Sequence, residues 1–194
     1  NHGSFTTSPL YVDGVLGNAM YFSGGEVIEV PNSDSLEVEK NYSFSAWVRV
    51  EDSMVGKLLQ VQNRINAWVY LGEKRFQVRA SHTLSSSWPD YRTRSSRSLT
   101  TQTWQHVAVV VDNTQVRLYI DGRLDVGKTI KDYGLTDIGK GLKLAEGFVG
   151  TLDDMRLYGE SLSGDEIAEL MMMVPGSETA CSDGVDNDGN GRID

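Results

Sequence analysis

Residues 103–124 read TWQHVAVVVDNTQVRLYIDGRL. Two apolar-rich segments, His106 to Asp112 and Gln115 to Ile120, flank a short polar break, and the second runs into Asp121-Gly122. An Asp-Gly pair at a strand end predicts a tight turn, because glycine accepts the positive φ that such turns require. The same grammar recurs outward in both directions. Upstream, Asn18 to Phe22, Val27 to Val30, Ser43 to Val50 (SFSAWVRV), Lys57 to Gln62, Asn66 to Leu71 and Arg75 to Ala80 read as strands. Downstream, Phe148 to Thr151 and Asp154 to Tyr158 do the same. Strands at a spacing of roughly 8–12 residues argue for an all-β sandwich or barrel and against a parallel α/β sheet. One stretch reads as a helix, Gly164 to Met173, preceded by the capping-box pair Ser163 and Glu166.

With 194 residues, the chain suits one such domain and is short for two. The longest apolar runs, Val107 to Val111 and Leu170 to Val174, fall far below the ~20 residues that cross a bilayer, so no membrane insertion is expected. The chain opens at Asn1 without a signal-peptide pattern, as a mature or excised segment does. After Pro175 core-forming residues nearly vanish, which sets the expected domains as 1–175 and an acidic tail, 176–194. The one cysteine, Cys181, lies in that tail; its partner is expected beyond residue 194, in a further segment.

A formal charge of −9 argues against nucleic acid as the partner. The charge is unevenly placed. Lys57 to Val110 carries eight Lys/Arg against two acids, a net +6, leaving −15 on the remainder. That asymmetry points to a local anionic ligand.

Three segments carry a family resemblance: VDGVLGNAMYFSGGEVIEVPNSDSLEVEKNYSFSAWVRV (12–50), the opening quotation (103–124), and GFVGTLDDMRLYGESLSGDEIAEL (147–170). In that order they resemble the bacterial laminin-G-like, concanavalin A-like domains. The resemblance implies an antiparallel two-sheet jelly-roll sandwich with one short C-terminal helix, in an extracellular or cell-surface setting. Asn1-His2-Gly3 is similar to the end of the family's opening motif, whose preceding strand is missing here. The family also implies a structural calcium near that motif, with Asp153 at a ligand position; Ser23 stands where many relatives carry Asp. Trp47 and Trp104 read as core or rim packing, and His106 as structural.

Related jelly rolls include polysaccharide-active enzymes, so catalysis needs its own test. A retaining glycosidase needs two carboxylates about 5–5.5 Å apart. No E-x-D-x-E run occurs, and Glu26 and Glu29, three apart on a strand, face opposite sides. Asp153 and Asp154 are adjacent and diverge as well. No catalytic residues are assigned, and the chain is expected not to be an enzyme.

The best binding face lies in NAWVYLGEKRFQVRAS (66–81), a hairpin turning at Glu73-Lys74. In that register Leu71 faces Phe76, Val69 faces Val78 and Ala67 faces Ala80, making one apolar face. The other pairs Tyr70 with Gln77 and Trp68 with Arg79; a one-residue slip would scramble both. Aromatic rings stack on pyranose C–H faces, while Gln and Arg supply directed hydrogen bonds. The following stretch adds Trp88, Tyr91, Arg92, Arg94 and Arg97. The expected ligand is an anionic polysaccharide or cell-surface glycan, a uronate or sulfated chain. The rival readings are a protein-interaction or adhesion domain, a glycan-active enzyme, and a passive spacer.

In the tail, Asp186, Asp188, Asn190 and Asp194 fall at positions 1, 3, 5 and 9 of an EF-hand-like loop, with Gly191 at 6 and Ile193 at 8. CSDGVDNDGNGRID also resembles the Asp-rich calcium motifs repeated in large secreted bacterial proteins. Calcium is thus the expected ion, structural in role.

Overall fold

The alternation of SFSAWVRV is realised as a nine-residue strand whose even-numbered side chains, Phe44 through Val50, lie in the core. A computed structural model describes residues 3–33, 36, 41–51, 55–61, 65–72, 75–82, 91–112, 114–129 and 141–172. The expected boundary at Gly176 and the whole calcium-motif tail lie outside them, as does Trp88. The chain starts with β1 (Ser4–Phe5), β2 (Leu10–Asp13), β3 (Asn18–Ser23), β4 (Ile28–Val30) and β5 (Tyr42–Val50). It continues through β6 (Val55–Val61), β7 (Ile65–Gly72), β8 (Arg75–His82) and β9 (Tyr91–Arg94). Then come β10 (Trp104–Val111), β11 (Gln115–Ile120), β12 (Arg123–Thr129), β13 (Leu142–Leu144), β14 (Val149–Tyr158) and α1 (Gly164–Met172).

These strands form two antiparallel sheets, ordered β1-β4-β13-β6-β7-β8-β9 and β12-β11-β10-β5-β14-β3-β2. The expected sandwich is the observed architecture. Its core lies between the sheets, where Phe44, Val48, Val107, Val109, Leu118 and Leu152 meet Leu58, Leu59, Phe76 and Val78. Phe22 and Phe148 cross edge to face there, ring centroids 6.1 Å apart.

The run Val107 to Val111 is continuous, not alternating, because β10 is covered on both sides. Its outer residues Ala108 and Val110, with Tyr119, pack under Leu162, Ile167 and Leu170. A nine-residue helix does not hold alone in water, so α1 depends on this burial, roughly 1.5–3 kcal/mol per large aliphatic side chain. The capping box closes its start: the Ser163 amide donates to Glu166 Oε2 (2.7 Å), and the Glu166 amide to Ser163 Oγ (3.2 Å). The predicted turn after β11 has positive φ at both Asp121 (51°) and Gly122 (68°).

Two bulges depart from simple alternation. In β6, Lys57 pairs with Tyr70 and Leu59 with Val69, so Leu58 is the extra residue and both leucines turn inward. Lys57 and Gln60 therefore share the outer face, where Lys57 Nζ donates to Gln60 Oε1 (2.8 Å). Gly56 beside them admits no side chain, since a Cβ would lie 2.3 Å from Phe148 Cα. In β14 the bulge falls between Asp153 and Arg156, so the two short strands expected there are one.

Candidate ligand-binding face

The hairpin register holds as read from sequence: Leu71 pairs with Phe76, Tyr70 with Gln77, Val69 with Val78, Trp68 with Arg79 and Ala67 with Ala80. Phe76 and Val78 are buried in the core, so by register the positions of Trp68, Tyr70, Gln77 and Arg79 fall on the other face of the sheet. β9 extends this face, its Arg92 opposite Arg79 and its Arg94 opposite Gln77. On the other side Gln60 pairs with Trp68 and Lys57 with Tyr70. Two cross-strand rows result, Gln60–Trp68–Arg79–Arg92 and Lys57–Tyr70–Gln77–Arg94, spanning four strands.

Three expected members behave differently. Tyr91 pairs with Ala80, a position on the side of Val78 and Phe76, so it does not join Trp68. A YRTR strand sends one pair of residues each way, and here the arginines took the outer side. Gln77 is only 4 % exposed, so its amide is set into the face and not displayed on it. Arg97 is committed elsewhere: its Nε donates to Asp125 Oδ1 (3.0 Å) and its Nη2 to the Ile120 carbonyl (3.1 Å). Burial alone would raise the Asp125 pKa, but the Ser96 hydroxyl and amide, with Arg97, hold it below the usual carboxylate range. Sequence spacing gave no hint of that acceptor, which comes from a different sheet.

Other cations near the face have oxygens at hand. Lys57 pairs with Glu146, and Lys143 Nζ lies 3.1 Å from Glu29 Oε1. Arg75 Nη1 donates to the carbonyls of Ser95 (2.9 Å) and Ser96 (2.6 Å). Lys128 Nζ reaches the Arg92 carbonyl (3.1 Å), tying the edge of one sheet to the edge of the other.

Asp153 does not stand open to a metal. Its Oδ2 accepts the Val15 and Leu16 amides (2.7 and 2.8 Å), and its Oδ1 accepts the Asp154 amide (2.8 Å). Ser23 uses its amide and hydroxyl to hold Glu26, both at 2.8 Å. No group of three or more His, Cys, Asp or Glu suited to a metal occurs among the described residues. A calcium at Asp153 does not fit this arrangement. Asp154 diverges from its neighbour as expected, pairing with Arg156 Nε (2.7 Å).

On the outer side of the second sheet lies a strip whose members the sequence marks one by one as packing residues but does not bring together. Trp47 pairs with His106 on one side and with Asp153 on the other, and Arg49 pairs with Trp104 and Thr151. Both tryptophans are half-buried, which fits rim packing, and His106 is 1 % exposed beneath Trp47. Alternation in SFSAWVRV marks this face, yet nothing local says that α1 packs on its continuation at Ala108, Val110 and Tyr119.

Residues 22–168 match the family described as the concanavalin A-like lectin/glucanases superfamily, Laminin_G_3. The chain belongs to that family. Among solved structures, domain 4 of the extracellular arabinanase AbnA from Geobacillus stearothermophilus, in complex with arabinotriose, is 25 % identical. It superposes with a TM-score of 0.71 over 87 % of each chain. The binding domain of Paraclostridial Mosquitocidal Protein 1 shares the fold, with TM-score 0.74 at 15 % identity over 88 % of this chain and 47 % of that one. The zebrafish (Danio rerio) adhesion G-protein coupled receptor V1 is 25 % identical over 174 residues, 79 % of this chain. This laminin-G-like chain spans about 3 % of that receptor's length. Among the described residues no helix is long and apolar enough to cross a membrane.

Proposed function

We propose that this domain is a non-catalytic carbohydrate-recognition module of a larger secreted or surface protein, holding its ligand on the outer face of β6–β9. The observation that carries the reading is the register, which puts Trp68, Tyr70, Arg79, Arg92 and Arg94 on one side of adjacent strands. Aromatic platforms beside fixed hydrogen-bond donors are what a sugar ring requires. The 25 % identical arabinanase domain supports the class of ligand, being a similar structure in complex with arabinotriose. A glycan array tests it. Trp68→Ala is expected to weaken every bound glycan at least tenfold while leaving the melting temperature in place. Unchanged affinity in that variant removes the face from consideration.

The match to an adhesion receptor favours a second reading, protein recognition by the same sandwich. Folded protein that binds no glycan across a broad panel would select it.

Calcium is proposed for the tail, through Asp186, Asp188, Asn190 and Asp194, and not for Asp153. The spacing of oxygen ligands around Gly191 supports this. Isothermal calorimetry should show calcium binding that Asp186→Ala/Asp188→Ala abolishes; identical titrations of the two proteins would sink the assignment.

A further inference from the structure

Strands β6 to β9 contain Lys57, Arg75, Arg79, Arg92 and Arg94 and no acidic residue, in a chain with 27 Asp and Glu. Within this group the register sets Arg79 directly opposite Arg92, with Arg94 one pair along, opposite Gln77. Directly opposed residues of an antiparallel pair have Cβ atoms about 4.5–5.5 Å apart, and diagonal neighbours about 7–8 Å. Three guanidinium-bearing positions thus form a tight triangle on one face.

Like charges directly opposite one another oppose sheet pairing, and a favourable pair at such a site is worth roughly 0.2–1 kcal/mol. At Arg79 the register partner is a second arginine. Charge on an edge strand discourages unwanted pairing with other chains. That accounts for Arg92 and Arg94 on β9, but β8 is an interior strand, so it leaves Arg79 unexplained.

We infer that the face reads negative charge: the ligand is an anionic glycan, one carboxylate or sulfate group of which is held jointly by Arg79 and Arg92. This rests on the carbohydrate reading above and adds the class of sugar. The planar guanidinium fork matches a carboxylate or sulfate in bidentate fashion, which an ammonium does not. Trp68 is the register partner of Arg79 on its other side, one strand spacing away, about 4.7–4.9 Å. A pyranose stacked on Trp68 thereby presents an acidic substituent to the arginine pair. The row crosses the strands, so the glycan runs across β6–β9 and not along them.

The experiment uses the full chain against matched polysaccharides: polygalacturonate with its methyl ester, and chondroitin sulfate with its desulfated form. Wild-type protein should bind one acidic member at least tenfold more tightly than its neutralised partner. The responding pair distinguishes carboxylate from sulfate. Arg79→Gln/Arg92→Gln should abolish that preference and flatten its salt dependence, with a melting temperature equal to or above wild type because the opposed charges are gone. Equal affinity for charged and neutral forms, unchanged by the double substitution, overturns the inference and leaves the carbohydrate reading standing. Binding to neither form, by folded protein that does bind a neutral glycan on the array, overturns the inference alone; binding to no glycan on the array overturns both. A lower melting temperature in the double variant would give the arginines a structural role and also overturn it.

Discussion

Replacing Asp153 with alanine is expected to destabilise the domain by about 3 kcal/mol, to the same extent in EDTA and in calcium. The carboxylate is 6 % exposed, and three backbone amides terminate on it. Two of them, Val15 and Leu16, belong to the turn between β2 and β3, some 137 residues away in sequence. That turn can approach because Gly14 has no side chain: a Cβ there would lie 2.4 Å from Asp153 Oδ2. Hydrogen bonds to an ionised acceptor are worth about 1.5–3 kcal/mol each, and donors stranded without one cost a similar amount. Part of the loss is recovered when water reaches the Val15 and Leu16 amides, which keeps the total near the value of two bonds. Asp153→Asn should recover part of the loss, since its carbonyl oxygen can accept the Val15 and Leu16 amides while its NH2 group meets the Asp154 amide donor to donor. Urea denaturation in the two buffers decides the role. A loss confined to the calcium buffer would make Asp153 a metal ligand after all.

Asp153 also shows where sequence reading reaches its limit. Its partners are backbone amides, which every residue carries, so no side-chain pattern announces them. The hairpin β7–β8 is the opposite case. Its two faces differ so strongly in polarity that one register satisfies both, and the structure adopts it. The Ser163–Glu166 cap was equally legible because both halves lie within one turn. Strands β9 and β12, YRTR and RLDVGKT, escaped because edge strands have one partner each and tolerate polar residues on both sides. Their placement then decided the candidate face: it brought Arg92 and Arg94 to Trp68's side, sent Tyr91 to the other, and gave Arg97 to Asp125. The bulges were half-visible. The pair Leu58-Leu59 between Lys57 and Gln60 breaks alternation in a way that only an extra residue reconciles.

Between pH 7 and pH 5 the domain is expected to lose about 2 kcal/mol of stability through His106 alone. Burial pushes this imidazole down to about 4, with the charge of Asp121 opposing the shift and Arg156 adding to it. The ring packs edge-on against Trp47, centroids 5.4 Å apart, and its Nδ1 finds no hydrogen-bond partner among the described residues. The folded state therefore holds a neutral ring, whereas the unfolded chain protonates near the ordinary histidine value of about 6.5. A folded pKa below the unfolded one gives stability that is complete above about pH 6.5. It is lost as pH falls towards 4, because the unfolded state takes up the proton first. At 1.36 kcal/mol per unit, the gap amounts to about 2 kcal/mol at pH 5 and about 3 kcal/mol at pH 4. Comparing wild type with His106→Gln cancels the titration of other groups, including the remaining histidines. The variant should start from lower stability at pH 7, having lost the ring's packing on Trp47. It should then fall less steeply towards pH 5, by about that 2 kcal/mol. Equal slopes in the two proteins would mean that His106 is protonated in place, which requires the buried space beside Trp47 to admit water.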